Sequence, residues 1–140
     1  MRVYLTKRYG FAASHRLHND TWPALENQRV YGKCNNPYGH GHNYALEVTI
    51  SGAVDVRTGM ICDLGELDAV VEKKVLARFD HEHLNLVPSF AGRVPTSENV
   101  AVEIFEILRR EFRAAQLEKV RLEETSQNSF EYAAGGEIRH

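Results

Sequence analysis

Three histidines in this chain have types and spacing suited to holding a metal ion. His40-Gly41-His42 leads into the alternating run Tyr44, Leu46, Val48, Ile50. In extended backbone residues i and i+2 point the same way, so both imidazoles project from the apolar side of that strand. Gly41 leaves the opposite face bare and lets the backbone bend. His15 shares parity with Phe11 and Ala13 in an earlier alternating run. If the two runs are antiparallel neighbours, the three rings converge. A lone His-x-His pair would carry little weight. A third inward histidine at a second strand end, beside a polar loop with a cysteine, shifts the balance towards metal. Three histidines on zinc leave a fourth position open, the catalytic arrangement rather than the closed structural one.

Cys34 precedes His40 by six residues in a polar, turn-rich stretch, Tyr31-Gly32-Lys33-Cys34-Asn35-Asn36-Pro37. It has two readings. With Lys33 beside it and a metal nearby, its pKa would fall and it would serve as thiolate base or nucleophile. As a fourth ligand it would close the metal site instead. Asp80-His81 reads as a supported general acid/base, while the neighbouring Glu82 and His83 read as a solvated loop. Glu124 shares parity with Val120 and Leu122, so its carboxylate ends an apolar face and needs a partner there. A ligand with a guanidine-like N–H pair would supply two parallel hydrogen bonds, and so would an arginine of the chain. His18 falls off the face pattern and reads as solvated, and His140 as a terminal residue without a task.

The elements that must position these groups are legible in outline. The chain has 140 residues, 43% apolar and 26% charged, with net charge −2, seven histidines and two cysteines. These values fit one globular domain over residues 1–140. They give no overall basic field for nucleic acid or an anionic membrane, and no apolar run approaches the roughly 20 residues that span a bilayer. With an early polar N-terminus and two cysteines read as free thiols, Cys62 as a small buried one, the expectation is a cytoplasmic protein. Alternation predicts a strand from Val3 to about Leu17 and another through Tyr44–Ile50. A long loop over 18–39 separates them, and a turn with a short returning strand follows at 55–61. Helices are predicted from an Asp63 cap to about Arg78, and after Pro95 with Thr96 or Ser97 as cap. Alternation resumes at Lys119–Glu124 and near Ser129–Tyr132. The predicted class is α+β, order β-β-α-α-β-β, with a four-stranded antiparallel sheet covered on one face by two helices.

The residues also match a known family. Phe11-Ala12-Ala13-Ser14-His15-Arg16-Leu17, Gly32-Lys33-Cys34-Asn35-Asn36-Pro37-Tyr38-Gly39-His40-Gly41-His42-Asn43-Tyr44, Asp80-His81-Glu82-His83-Leu84-Asn85, Pro95-Thr96-Ser97-Glu98-Asn99-Val100 and Glu124-Thr125 resemble the 6-pyruvoyl-tetrahydropterin synthase family, which includes 6-carboxytetrahydropterin synthases. The resemblance spans nearly the whole chain, and its blocks fall in the family's order. It implies zinc on His15, His40 and His42, Cys34 as the proton-abstracting thiolate, and Asp80 with His81 completing a relay. It further implies that Glu124 anchors the pterin ring, with Thr96 in the substrate-binding set. The implied fold is the tunnelling fold, assembled as a homohexamer of two trimers with pockets between subunits.

The implied substrate is 7,8-dihydroneopterin triphosphate, with loss of triphosphate and formation of 6-pyruvoyl-tetrahydropterin. In the carboxy branch, which feeds queuosine and other deazapurines, acetaldehyde is also released and a 6-carboxy product remains. The Cys-x5-His spacing and Cys-Asn-Asn-Pro resemble the pyruvoyl enzymes, whereas Tyr38 departs from the small polar residue common there. A noncatalytic metal-binding or pterin-binding module is the alternative of a different class. Cys34 discriminates, because a binder has no use for a thiol six residues before the metal pair.

Overall fold

The computed structural model describes residues 1–133. Alternation builds the long first hairpin: β1 (Arg2–His15) and β2 (His40–Ala53) pair antiparallel from Arg2 opposite Ala53 to His15 opposite His40. β4 (Gln116–Thr125) lies antiparallel along the other side of β2, with an irregularity at Thr49/Ile50, and β5 (Asn128–Ala133) follows β4. β3 (Glu82–His83) adds to β1 in parallel at Ala13 and Ser14. The sheet therefore has five strands in the order β3-β1-β2-β4-β5 rather than the expected four. The extra strand is two residues long, too short for any alternation to announce it.

Two further expectations are corrected. The segment 18–39 is not plain loop: it holds α1 (Ala24–Tyr31) and a 3-10 turn (Gly32–Asn35). The buried residue of α1 is Asn27, fixed by its amide to the carbonyls of Asn19, Trp22 and Pro23, so no apolar stripe marks this helix. At 55–61 there is a turn and no returning strand. The Asp55 carboxylate accepts from the amides of Arg57 and Thr58, and Gly59 supplies a φ of 75°.

One face of the sheet is covered. α2 (Leu64–Val70) runs on through a π-helical segment (Val71–Leu76) and a closing turn (Ala77–Phe79). Its buried residues Leu67, Val71, Val75 and Phe79 repeat every fourth position. The wider π turn keeps that repeat facing the sheet better than 3.6 residues per turn would. Lys7 of β1 pairs with Asp68 of this helix at 2.7 Å, and the Tyr9 hydroxyl donates to the same carboxylate at 2.7 Å. α3 (Ser97–Glu111) presents Val100, Ile104 and Leu108, all fully buried, to the same face. Its cap is Thr96, whose Oγ1 accepts from the Asn99 amide at 3.2 Å.

The opposite face carries charge instead. Arg8 bridges Glu47 and Glu123, and Arg121 also reaches Glu47. Since β3 pairs only with Ala13 and Ser14, and Ala12 is met by the Asp80 carboxylate and the His81 amide, β1 from Arg2 to Phe11 has an open outer edge among the described residues, as β5 does on the far side. No described helix is long and apolar enough to cross a membrane.

Candidate metal centre

The first hairpin's register brings His15 opposite His40 and Ala13 opposite His42. One ring nitrogen from each of the three histidines lies within 4.8 Å of the others. His15 is 1% exposed. Its Nδ1 donates to the carbonyl of Pro95 at 2.8 Å, and since a carbonyl only accepts, Nε2 keeps its lone pair. That Nε2 lies 3.2 Å from Nε2 of His40. His40 Nδ1 and His42 Nε2 are buried without a hydrogen-bond partner. An unpaired buried nitrogen is costly, and a cation accepting the His42 Nε2 lone pair removes that cost at His42. Burial, and then the neighbouring imidazoles, hold His15 and His40 below the ordinary histidine pKa, which keeps the rings neutral and able to ligate.

Gly39 sets the approach to this cluster. Its φ is 75°, and a Cβ there would stand 2.9 Å from His83 Cε1 and 3.0 Å from the His15 carbonyl oxygen. Only glycine combines that backbone conformation with that clearance. His83 is therefore not the solvated residue expected: its Nδ1 bonds Ser14 Oγ at 2.8 Å and its ring walls the ligand loop. His18 is corrected likewise, with its Nδ1 2.9 Å from the Asn35 amide nitrogen.

The Cys34 loop is tied over the end of β1. The Leu17 amide donates to the Cys34 carbonyl at 2.8 Å, the Asn35 amide donates to the Leu17 carbonyl at 2.8 Å, and Arg16 Nε donates to the Asn35 carbonyl at 3.2 Å. Cys34 is a half-buried free thiol outside the three-histidine cluster. Its pKa is raised, by burial first and the Glu124 charge second. Lys33, which is exposed, does not offset that burial. Cys62 packs partly buried against the core, as a small hydrophobe. Tyr38 points away, 93% exposed.

Glu124, at the end of β4, turns inward as its parity predicts. Its Oε1 is 4.0 Å from His42 Nε2, and its Oε2 accepts from the hydroxyl of Ser97. Among the described residues no arginine pairs with it. Ser97, 2% exposed, was legible only as an alternative helix cap. Tyr44 was legible only as core, yet its hydroxyl lies 3.5 Å from His15 Nδ1. Burial, reinforced by the Glu124 charge, raises the Tyr44 pKa and keeps the phenol protonated. Asn85 was also missed. Its side-chain amide accepts from the Arg16 N–H and donates to the Arg16 carbonyl, both at 2.8 Å, as a neighbouring strand would. A side-chain amide one loop away from a strand end was the only signal available.

Asp80 and His81 form a pair, Oδ2 to Nδ1 at 3.1 Å, with Asp80 Oδ1 accepting from the Ala12 amide at 2.9 Å. The His81 side chain is 83% exposed, and its φ of 62° is the left-handed region a non-glycine residue seldom occupies. It lines an open cavity of about 520 Å³ with Ala12, Ser14, Asn43 and also His42 of the histidine cluster. Among the described residues no hydrogen bond joins His81 to Cys34. The sequence blocks grouped them, but within one chain they do not meet as a relay.

Comparison with known proteins identifies the family. Residues 4–135 match the model of the family described as 6-pyruvoyl tetrahydropterin synthase. A 6-pyruvoyl tetrahydrobiopterin synthase of Poecilia reticulata is 43% identical over 130 residues, covering 92% of this chain and 88% of that protein. The human protein of the same name is 42% identical over 132 residues, covering 94% and 91%. The solved structure of Caenorhabditis elegans 6-pyruvoyl tetrahydropterin synthase superposes with a TM-score of 0.90 at 40% identity, covering 96% of each chain. The chain belongs to the 6-pyruvoyl tetrahydropterin synthase family. Its α+β architecture is the tunnelling fold that the sequence blocks implied, with the short β3 as the added strand.

Proposed function

We propose that this protein is a zinc-dependent lyase that converts 7,8-dihydroneopterin triphosphate to 6-pyruvoyl-tetrahydropterin with loss of triphosphate. The carrying observation is the juxtaposition of a three-histidine donor set with an inward carboxylate, Glu124 Oε1, 4.0 Å from His42 Nε2. The donor set suits zinc. Two nitrogens each about 2.0–2.1 Å from a tetrahedral ion are about 3.3 Å apart, and His15 Nε2 and His40 Nε2 are 3.2 Å apart. Zinc held by His15, His40 and His42 would supply Lewis acidity to the substrate's side-chain hydroxyls and a positive charge favouring the Cys34 thiolate.

The chain's own residues would do the rest. Glu124 accepts two parallel hydrogen bonds from the 2-amino group and adjacent ring nitrogen of the pterin. Thr96, as cap of α3, belongs to the substrate-binding set by holding the turn that presents Ser97 to Glu124. Cys34 takes the proton from the side-chain carbon, triphosphate departs, and internal redox tautomerisation gives the pyruvoyl group without an external oxidant. Asp80 keeps His81 oriented and supports its cationic form. Because His81 faces outward, we assign the pair to the Cys34 site of a neighbouring copy in a homohexamer. The open edges of β1 and β5 favour such assembly, because unpaired strand edges seek partners. A cytoplasmic setting accords with two free thiols.

Incubation with dihydroneopterin triphosphate, followed by product analysis, tests this reading. Triphosphate and a 6-pyruvoyl product are expected. Acetaldehyde with a 6-carboxy product would assign the protein to the other branch, and an unchanged substrate would overturn the lyase reading.

A further inference from the structure

Tyr44 and Ser97 take no part in the chemistry above, yet both are 2% exposed and both carry a hydroxyl. They lie in a line. Pro95, two residues before Ser97, accepts from His15 Nδ1 at 2.8 Å, and the Tyr44 hydroxyl lies 3.5 Å from the same nitrogen. Ser97 in turn donates to Glu124 Oε2. A carboxylate only accepts, and a serine has one proton to give. The proton of that bond is thereby placed: Ser97 donates to Glu124. Oε2 takes the Ser97 hydrogen bond, while Oε1 lies on the side of His42 with the Asn128 side-chain amide donating to it at 3.5 Å. The turn Pro95–Ser97 thus touches a histidine of the metal cluster through one residue and the anchoring carboxylate through another.

We propose that Tyr44 and Ser97 are positioning residues that couple the three-histidine cluster to Glu124, so that zinc binding and pterin-ring binding favour each other through the protein. This rests on the metal and pterin roles proposed above. Zinc on His15 Nε2 fixes that ring. The fixed ring holds the Pro95 carbonyl, and the turn then holds Ser97 and the rotamer of Glu124. Without zinc the ring and carboxylate must be ordered when the pterin arrives, and the lost freedom weakens binding.

The test uses pterin with no C6 side chain, which offers its pyrimidine edge to Glu124 but carries no side-chain hydroxyl for zinc. Its affinity is measured by fluorescence titration on chelator-stripped and zinc-loaded protein. In the wild type, zinc should tighten pterin by about fivefold or more, and pterin should tighten zinc by the same factor, since coupling is reciprocal. Tyr44→Phe, which keeps the ring's shape, and Ser97→Ala should each reduce that factor to below about twofold, with three-histidine zinc affinity in the absence of pterin little changed. Ser97→Thr, which keeps the hydroxyl, should restore it, and remains informative if Ser97→Ala fails to fold. Undiminished coupling in Tyr44→Phe, or no coupling in the wild type, would overturn this proposal alone. A wild-type protein that binds zinc but no pterin would overturn the pterin reading with it.

Discussion

His15 and His40 face each other across the first hairpin with their Nε2 atoms 3.2 Å apart, and the Pro95 carbonyl fixes which nitrogen of His15 carries the proton. His42, whose Nε2 is buried and unpartnered, completes the set. His42→Ala should therefore abolish stoichiometric zinc, measured by elemental analysis after dialysis. It should also remove zinc-dependent thermal stabilisation, which for a one-site ligand at a hundred times its Kd is about 2.7 kcal/mol. A full zinc content in this variant would refute the three-histidine site.

Gly39 has a left-handed φ and no room for a methyl group. Gly39→Ala should destabilise the fold by about 1–3 kcal/mol and lower zinc affinity, because His40 follows directly. Adding His83→Ala removes the contact at 2.9 Å but not the one with the His15 carbonyl at 3.0 Å. The double variant should recover only part of the loss in thermal unfolding. Complete recovery would show that the backbone is not strained.

Cys34→Ala should retain zinc but lose triphosphate release by about 10²–10⁴-fold, the range for a removed proton-transfer group. The thiol's own titration is a separate check. Burial and Glu124 both disfavour the thiolate, so in chelator-stripped protein the pH midpoint of iodoacetamide labelling should lie above the usual thiol value of about 8.5. Glu124→Gln removes one of the two causes and should move that midpoint down.

The same Glu124→Gln variant should weaken pterin binding about tenfold or more, since hydrogen bonds to a charged partner contribute about 1.5–3 kcal/mol. Thermal stability should change far less. Equal losses in both would mean that Glu124 serves the fold and not the ligand.

Asp68 links acid stability to the packing of α2 on β1. Hydrogen bonding from Lys7, and then from Tyr9, holds its pKa below the ordinary aspartate value. A depressed carboxyl contributes stability that is full above the unfolded pKa, near 3.9, and is lost as pH falls through the lower folded value. Asp68→Asn should destabilise the protein at neutral pH, and the difference from wild type should shrink below about pH 4. A constant difference down to pH 2 would contradict that linkage.

The histidine cluster was legible because parity is a strict rule in strands: His15, His40 and His42 each sit in step with buried neighbours such as Phe11 and Tyr44. The helices from Asp63 and Thr96 were legible from caps and apolar stripes. β3 was not, because two residues cannot alternate, and α1 was not, because it is held by the Asn27 amide rather than by apolar contacts. Tyr44 shows a subtler gap. Its place in an apolar run explains its ring, while its hydroxyl acquires meaning only when β1 lies beside β2 and brings His15 to it. The Asp80–His81 pair is legible as chemistry, but chain order says nothing about which way φ at His81 turns the ring.

The amide of Asn85 grips both backbone groups of Arg16 just where β1 ends. That grip turns the hairpin into a ruler with a fixed zero. A single residue added within β1 near its end would set that grip against the core register, so that either Phe11 and its buried neighbours or His15 must turn to the charged face. Length changes in the turn around Asp55, at the far end of the hairpin, leave this zero where it is. The two ends of one hairpin thus differ in how much length variation this family's chemistry tolerates.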